Sequence, residues 1–552
     1  MKTLPIGYDI YKHLFDSNCY YVDKTLILKE IIESTKDILI FHKPRLYGKT
    51  LLLTMIRTFF EKEINKHGQY INNSKYFEHS KIVKEYPECL QYNEEFPIIF
   101  LSMKHGVQPS FEMAWKSIAD EISKEYIRHS YILLNEEISD SYKDTFQYYM
   151  RGIYNINECI GAINLLSECL SQAHKQQVII IIDEYNTPIE HALIKGFCTE
   201  MLTFINSFYE KSITNNAHLK FAIMAGCYPH TVDTIFNSNK NIGFYDIYNT
   251  EYQQYFGITK DETENILDYY ELSEEFEVCT SWYGGNISDD ANMYNPWSLM
   301  NHISKGLTGK NIHYYPEAYS SNGEINKLID ILLEKYPDHK RTIEKLINYE
   351  YISPQFDNPK KSEPMNQIWI KLLNAGYLSV KTHSYVKNSD EISLAIPNKE
   401  VRLMWKKRIY QALYRSLSEI EPKTLEHFII NKNVAELQKV FNQILENNIC
   451  IPSDGVYFYS HFVTTILSVH PKYIIYSDSA EKNFIIMKRP YIDKIALIFD
   501  VQVINGSNNI TPLKNPKYNQ LTNSLLEEGY SNVVIYRFHF QNNNCNIDII
   551  QL

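Results

Sequence analysis

The 552 residues are 44% hydrophobic and 22% charged with only 19 Gly and 20 Pro, which excludes a disordered, collagen-like or linker-dominated chain and leaves room for two to four ordinary domains. A formal charge of −11 argues against a globally basic, nucleic-acid-coating surface; from Asn431 onward ten Lys/Arg balance ten Asp/Glu, so the acidic excess lies before that point. Nine scattered cysteines with no CxxC pair argue against a zinc site or a disulfide framework, and the absence of an apolar run of ~18–20 residues or of a signal-peptide h-region makes a cytoplasmic protein with no membrane contact the expectation.

Asp37–His42 (DILIFH) reads as a buried strand, followed after a short turn by a helix over Lys49–Glu61 with Leu52, Leu53, Met55, Ile56, Phe59 and Phe60 at helical spacing. Phe96–Met103 predicts a second strand and Ser110–Arg128 a helix. A helix over Ile156–Lys175 leads to Gln177–Asp183, the strongest strand in the chain, and His218–Ala225 predicts a fourth. Alternation of near-continuous apolar strands with helices indicates an α/β domain with a parallel sheet covered on both faces, placed at residues 1–250. Residues 251–430 read as mostly helical, with a β-rich patch at Gly376–Val380 and Ser393–Ile396. An α/β pattern restarts in residues 431–552: helix Tyr457–Val469, strands Tyr473–Tyr476, Phe484–Lys488 and Ala496–Val503, helix Tyr518–Glu528, then strands Asn532–Phe540 and Asn546–Gln551.

The first strand runs into Lys43-Pro44-Arg45-Leu46-Tyr47-Gly48-Lys49-Thr50 and then a helix. In this context backbone N–H groups at a helix N-terminus bind phosphate, Lys49 reaches the β/γ-phosphates and the Thr50 hydroxyl binds Mg²⁺. The glycine that usually opens such a loop is replaced by Lys43, and Gly48-Lys49-Thr50 alone equally suits an ordinary strand–helix turn. A second signal comes from Ile179-Ile180-Ile181-Ile182-Asp183-Glu184, an apolar strand ending in two carboxylates. Asp183 could hold Mg²⁺ and Glu184 could activate water; the plainer reading is an N-cap and first-turn acid for the next helix. The order of the two motifs on the strands suits a P-loop NTPase in which one strand separates them and a glutamate activates water.

These motifs resemble bacterial AAA-ATPase-like proteins that carry a C-terminal PD-(D/E)XK nuclease-like domain. Leu4-Pro5-Ile6-Gly7, Tyr21-Val22-Asp23-Lys24-Thr25, the loop Lys43–Leu51 and Asp183-Glu184-Tyr185-Asn186-Thr187-Pro188 match family landmarks in order, as do Tyr255–Thr259, Tyr294–Ser298 and Ile396–Val401. The resemblance implies ATP and Mg²⁺ as cofactors, with Arg45, Tyr47, Gly48, Lys49, Thr50 and Leu51 at the nucleotide, Thr50 and Asp183 at the metal, and Glu184 as catalytic base. Asn186 stands where the family has a second acid, and Pro229 where it often has a basic residue.

For the C-terminal domain the resemblance implies a core in which two acids and a lysine converge on Mg²⁺. In this chain the first acid falls at Asn483 or Phe484, neither anionic, and the E-x-K strand reads Asp500-Val501-Gln502. One acid survives unless Asp478, Glu481 or Asp493 compensates, so a degenerate nuclease site at Asn483, Asp500 and Gln502 is expected. Three functions remain open at this level. The first is an ATP-driven switch whose C-terminal domain binds nucleic acid or a protein. The second is an active ATP-regulated nuclease of a defence or toxin system, and the third a non-enzymatic interaction protein.

Overall fold

In a computed structural model of the chain, four of the five strands of the first sheet fall on the apolar runs: β1 (Ile38–His42), β2 (Ile98–Ser102), β3 (Val178–Asp183) and β4 (Leu219–Gly226). The fifth, β5 (Ile242–Tyr245), is only four residues with a glycine inside, too short to leave a periodic signal. The sheet order is β2-β3-β4-β1-β5 with every neighbouring pair parallel. The structure describes residues 1–152, 155–227, 241–246, 249–285, 293–308, 323–335, 340–347, 351–352, 364–381, 393–417, 422–448, 456–467, 474–477, 483–489, 494–504, 516–541 and 544–550. Among them no helix is long and apolar enough to cross a membrane.

The apolar strands divide their side chains between two cores because successive residues point to opposite faces. Ile38, Ile40, Ile99, Leu101, Ile180, Ile182, Ala222 and Met224 enter one cluster with helices Phe111–Arg128, Ile156–His174 and Cys198–Tyr209. Leu39, Phe41, Ile98, Ile179, Ile181, Ile223 and Ala225 enter the other with helices Tyr11–Asp16, Ile27–Glu33 and Lys49–Phe60. Each face is therefore covered by helices, and this is why the strands read as continuous apolar runs rather than alternating ones.

By contacts the chain divides into two units, one holding residues 1–318, 356–386 and 397–399, the other 319–355, 387–396 and 400–552. Among the described residues between 251 and 430 helices predominate, as the sequence indicates. This stretch contains two short strands, β6 (Ser379–Lys381) and β7 (Ser393–Ala395). The last strands are β8 (Ile474–Ser477), β9 (Phe484–Arg489), β10 (Ile495–Val503), β11 (Asn532–Gln541) and β12 (Asn544–Ile550), in the order β12-β11-β10-β9-β8. β8, β9 and β10 form an antiparallel meander. β11 lies parallel to β10, with helix Pro516–Glu527 as the crossover that a parallel pair needs. With helix Val456–Leu467 ahead of β8, the described elements run α-β-β-β-α-β before β12.

Candidate active site

β1, β3 and β4 end level with one another, since His42 is in register with Gly226 and Asp183 with Ala225. Crevices at the carboxyl ends of parallel strands, where the strand order reverses, are where such sheets bind ligands. The loop Lys43–Gly48 leaves β1 at this edge. Two of its residues have left-handed backbone, Leu46 at φ 63° and Gly48 at φ 78°. Gly48 is the N-cap of helix Lys49–Phe60, so the turn into the helix needs a residue without a Cβ penalty.

Lys49 is buried beneath its own loop. Its ammonium donates to the carbonyl oxygens of Lys43 at 2.9 Å and Pro44 at 2.7 Å, with Cys227 Sγ at 3.4 Å. Burial raises the Cys227 thiol pKa above its ordinary value, against the pull of Lys49. The Lys43 side chain, standing where a glycine is usual, turns out of the loop: Nζ donates to the Asp246 carbonyl at 2.7 Å and lies 5.6 Å from the centre of the Phe256 ring. Burial pushes this ammonium down to about 8.

The first helical turn meets the end of β3 directly. Thr50 Oγ1 donates to Asp183 Oδ2 at 2.6 Å, and the Glu184 N–H donates to Asp183 Oδ1 at 3.0 Å. Burial raises the Asp183 carboxyl above the usual range, opposed by the Thr50 bond and reinforced by Glu184. Glu184 has φ 50°, and its carboxylate accepts from Thr187 Oγ1 at 3.2 Å. The loop lysine, the helix hydroxyl and both strand-end acids, taken from residues more than a hundred apart, thus share one sheet edge.

Arg45, the first basic residue expected at the nucleotide, is exposed on the loop. Tyr47 is 1% exposed, its carbonyl accepts the Gly257 N–H at 3.0 Å, and its ring fills the space a Cβ on Gly257 would need. Leu51 packs its side chain against the core between the sheet and helix Lys49–Phe60. Tyr47 and Leu51 thus have their side chains turned into packing. Asn186 is buried, donates to Glu190 Oε1 at 2.6 Å and sits against Gly226. Pro229 lies outside the described residues. Nothing in the sequence pattern singles out His42 or Cys227, whose only signal is adjacency to the loop and to the end of β4; Tyr185 belongs to the landmark around the acid pair, which assigns it no role.

The C-terminal candidates converge too. Asn483, just before β9, donates to Asp500 Oδ1 at 3.2 Å, and Gln502 Nε2 donates to Asp500 Oδ2 at 2.6 Å. Phe484, the alternative position for the missing acid, is buried in the core instead. Two residues not expected from the sequence complete the cluster. The Tyr518 hydroxyl donates to Asp500 Oδ2 at 2.6 Å, and Arg537, paired with Asp500 in the strand register, places Nε 3.6 Å from that oxygen while donating to the Tyr518 oxygen at 3.0 and 2.6 Å. Burial and the Asp500 bond raise the Tyr518 pKa. Asp478, Glu481 and Asp493 lie outside the described residues. Among the described residues no group of three or more His, Cys, Asp or Glu is arranged to hold a metal ion.

A family model described as predicted AAA-ATPase matches residues 5–236, the stretch that holds the first of these sites. Among solved structures, a Walker-type ATPase of Pyrococcus abyssi is similar over 69% of this chain and 94% of its own, with 13% identity and a TM-score of 0.36. No curated protein matches the sequence. The match to this predicted AAA-ATPase-like domain takes in both the phosphate-type loop and the acid-ended strand.

Proposed function

We propose that the N-terminal part binds ATP with Mg²⁺ and hydrolyses it as a switch, and that the PD-(D/E)XK-like C-terminal domain is its output, engaging nucleic acid or a protein without cutting. The division proposed is an ATPase domain to about residue 250, a helical section to 430 and the output domain beyond. The observation that carries the reading is the 2.6 Å junction of Thr50 and Asp183 beneath the loop, with Glu184 next in the chain. Thr50 Oγ1 and Asp183 are hard oxygen donors side by side, and Mg²⁺ commonly takes one or two such protein oxygens alongside nucleotide phosphates. When bound, the ion supplies neutralisation of phosphate charge.

The chain's own residues do the rest. Lys49 exchanges a loop carbonyl for a phosphate oxygen, a stronger charge-assisted partner. The N–H groups at the start of helix Lys49–Phe60 face the same phosphates, favoured by the helix dipole. Glu184 orients the attacking water and takes its proton. For the output domain, support comes from the α-β-β-β-α-β element order and from the meeting of Asn483, Asp500 and Gln502.

Phosphate release tests the assignment. Glu184→Gln keeps size and an acceptor but cannot accept the proton, so turnover falls by ~10²-fold or more with ATP affinity retained. Asp183→Asn instead removes the Mg²⁺ dependence of binding. Hydrolysis at the wild-type rate by Glu184→Gln contradicts the role of Glu184 as base.

A further inference from the structure

We propose that Tyr185 and His42 are a positioning pair that fixes Glu184 for attack and ties it to the strand feeding the phosphate loop. This rests on the reading of Glu184 as the base of an ATPase. Glu184 has φ 50°, a left-handed conformation that non-glycine residues adopt rarely and that persists only where the surroundings over-determine it. The residue that over-determines it is the next one. The Tyr185 N–H donates to the Ala225 carbonyl at 3.1 Å, its carbonyl accepts the Tyr209 hydroxyl at 2.8 Å, and its own hydroxyl lies 2.7 Å from His42 Nε2. Tyr185 and His42 are 0% and 2% exposed.

The ring reaches from the end of β3 past the end of β4 to the end of β1. A Cβ on Gly226 would stand 2.9 Å from Tyr185 Cε1 and 2.4 Å from Asn186 Oδ1, so the path exists because β4 ends in glycine. His42 is the last residue of β1, and Lys43 opens the loop directly after it. One buried hydroxyl–imidazole contact therefore links the backbone beside Glu184 to the root of the phosphate loop. Thr187 holds the Glu184 carboxylate from the other side. Tyr185 and His42 act through the position of Glu184; a small misplacement of such a group costs up to a hundredfold in rate.

The test combines nucleotide binding with steady-state hydrolysis on the full chain. Tyr185→Phe removes only the hydroxyl; kcat falls about ten- to a hundredfold while the affinity for ATP stays within about twofold. His42→Phe does the same, and His42→Gln, whose amide can occupy the Nε2 position, recovers most of the rate. In a Glu184→Gln background Tyr185→Phe changes the residual rate no further, because residues acting as one unit are non-additive. A wild-type kcat in Tyr185→Phe, an undiminished effect in the Glu184→Gln background, or affinity lost in step with rate overturns the proposal. Wild-type protein that binds ATP without turnover overturns this inference alone; wild-type protein that binds no ATP overturns the nucleotide reading itself.

Discussion

Asp500 keeps its carboxylate in the interior of the last sheet because both oxygens are occupied and a cation stands beside them. Asn483, Gln502 and Tyr518 donate to it, and Arg537 approaches from β11. A divalent ion there would have to displace these donors and share the oxygen with a guanidinium. Two outcomes follow. Purified protein leaves single- and double-stranded DNA and RNA intact with Mg²⁺ or Mn²⁺, and metal-dependent cleavage that vanishes in Asp500→Ala contradicts this. Asp500→Ala also strands Arg537 in the interior, which costs about 3–5 kcal/mol, read as a lower midpoint in urea; an unchanged midpoint contradicts the pairing. Asn483, Asp500 and Gln502 are legible in sequence through the resemblance, whose acid and E-x-K positions fall on them. Tyr518 and Arg537 are not, because a helix and a parallel strand bring them in from later in the chain.

At the level of elements, β1 to β4 are readable because burial on both faces leaves them apolar throughout, whereas β5 exposes Phe244 and contains Gly243, and only its pairing with β1 makes it a strand. Helix Thr187–Lys195 could be expected only as whatever follows the acid pair. The edge strand β2 shows how tertiary charges do what sequence pattern cannot announce. Glu125 Oε2 accepts the Phe100 N–H at 3.0 Å and Arg128 donates to the Ile98 carbonyl at 2.5 Å, so the open edge is capped by charge rather than left to pair. Arg128 also pairs with Glu61 and Glu125. Burial works against the Glu61 charge, but Arg128 and Arg57 outweigh it and hold that carboxyl down to about 2. Burial and then Arg128 push His129 well below its ordinary value; burial and then Lys62 push His174 down to about 4.

Both histidines are thus neutral in the fold and titrate near 6.5 when unfolded, so the unfolded chain binds more protons between about pH 4 and 6.5. Stability is full above that window and falls as pH drops through it; Glu61 adds a loss of the same sign only at lower pH, as its carboxylate is protonated. The midpoint temperature should fall from pH 6.5 to 5, with a shallower slope in His174→Gln. Equal slopes in the two proteins contradict the assignment.

For the molecule as a whole, the sequence shows an α/β start, a helical middle and a restarted α/β pattern, because each depends on the local period of apolar residues. What it does not show is which distant residues meet. The loop and the acid pair are legible as two motifs, but their contact through Thr50 and Asp183 follows from β4 lying between β1 and β3. The turning of Lys43 toward Asp246 likewise depends on a segment some two hundred residues later.

In the proposed function this loop holds ATP through Lys49. Calorimetric titration of ATP with Mg²⁺ into wild type and Lys49→Ala addresses it directly. Saturable one-site binding is expected in wild type and an affinity at least about tenfold weaker in the variant, since an ion pair and charge-assisted hydrogen bonds to phosphate disappear together. Equal affinities, or no binding by wild type, would contradict it.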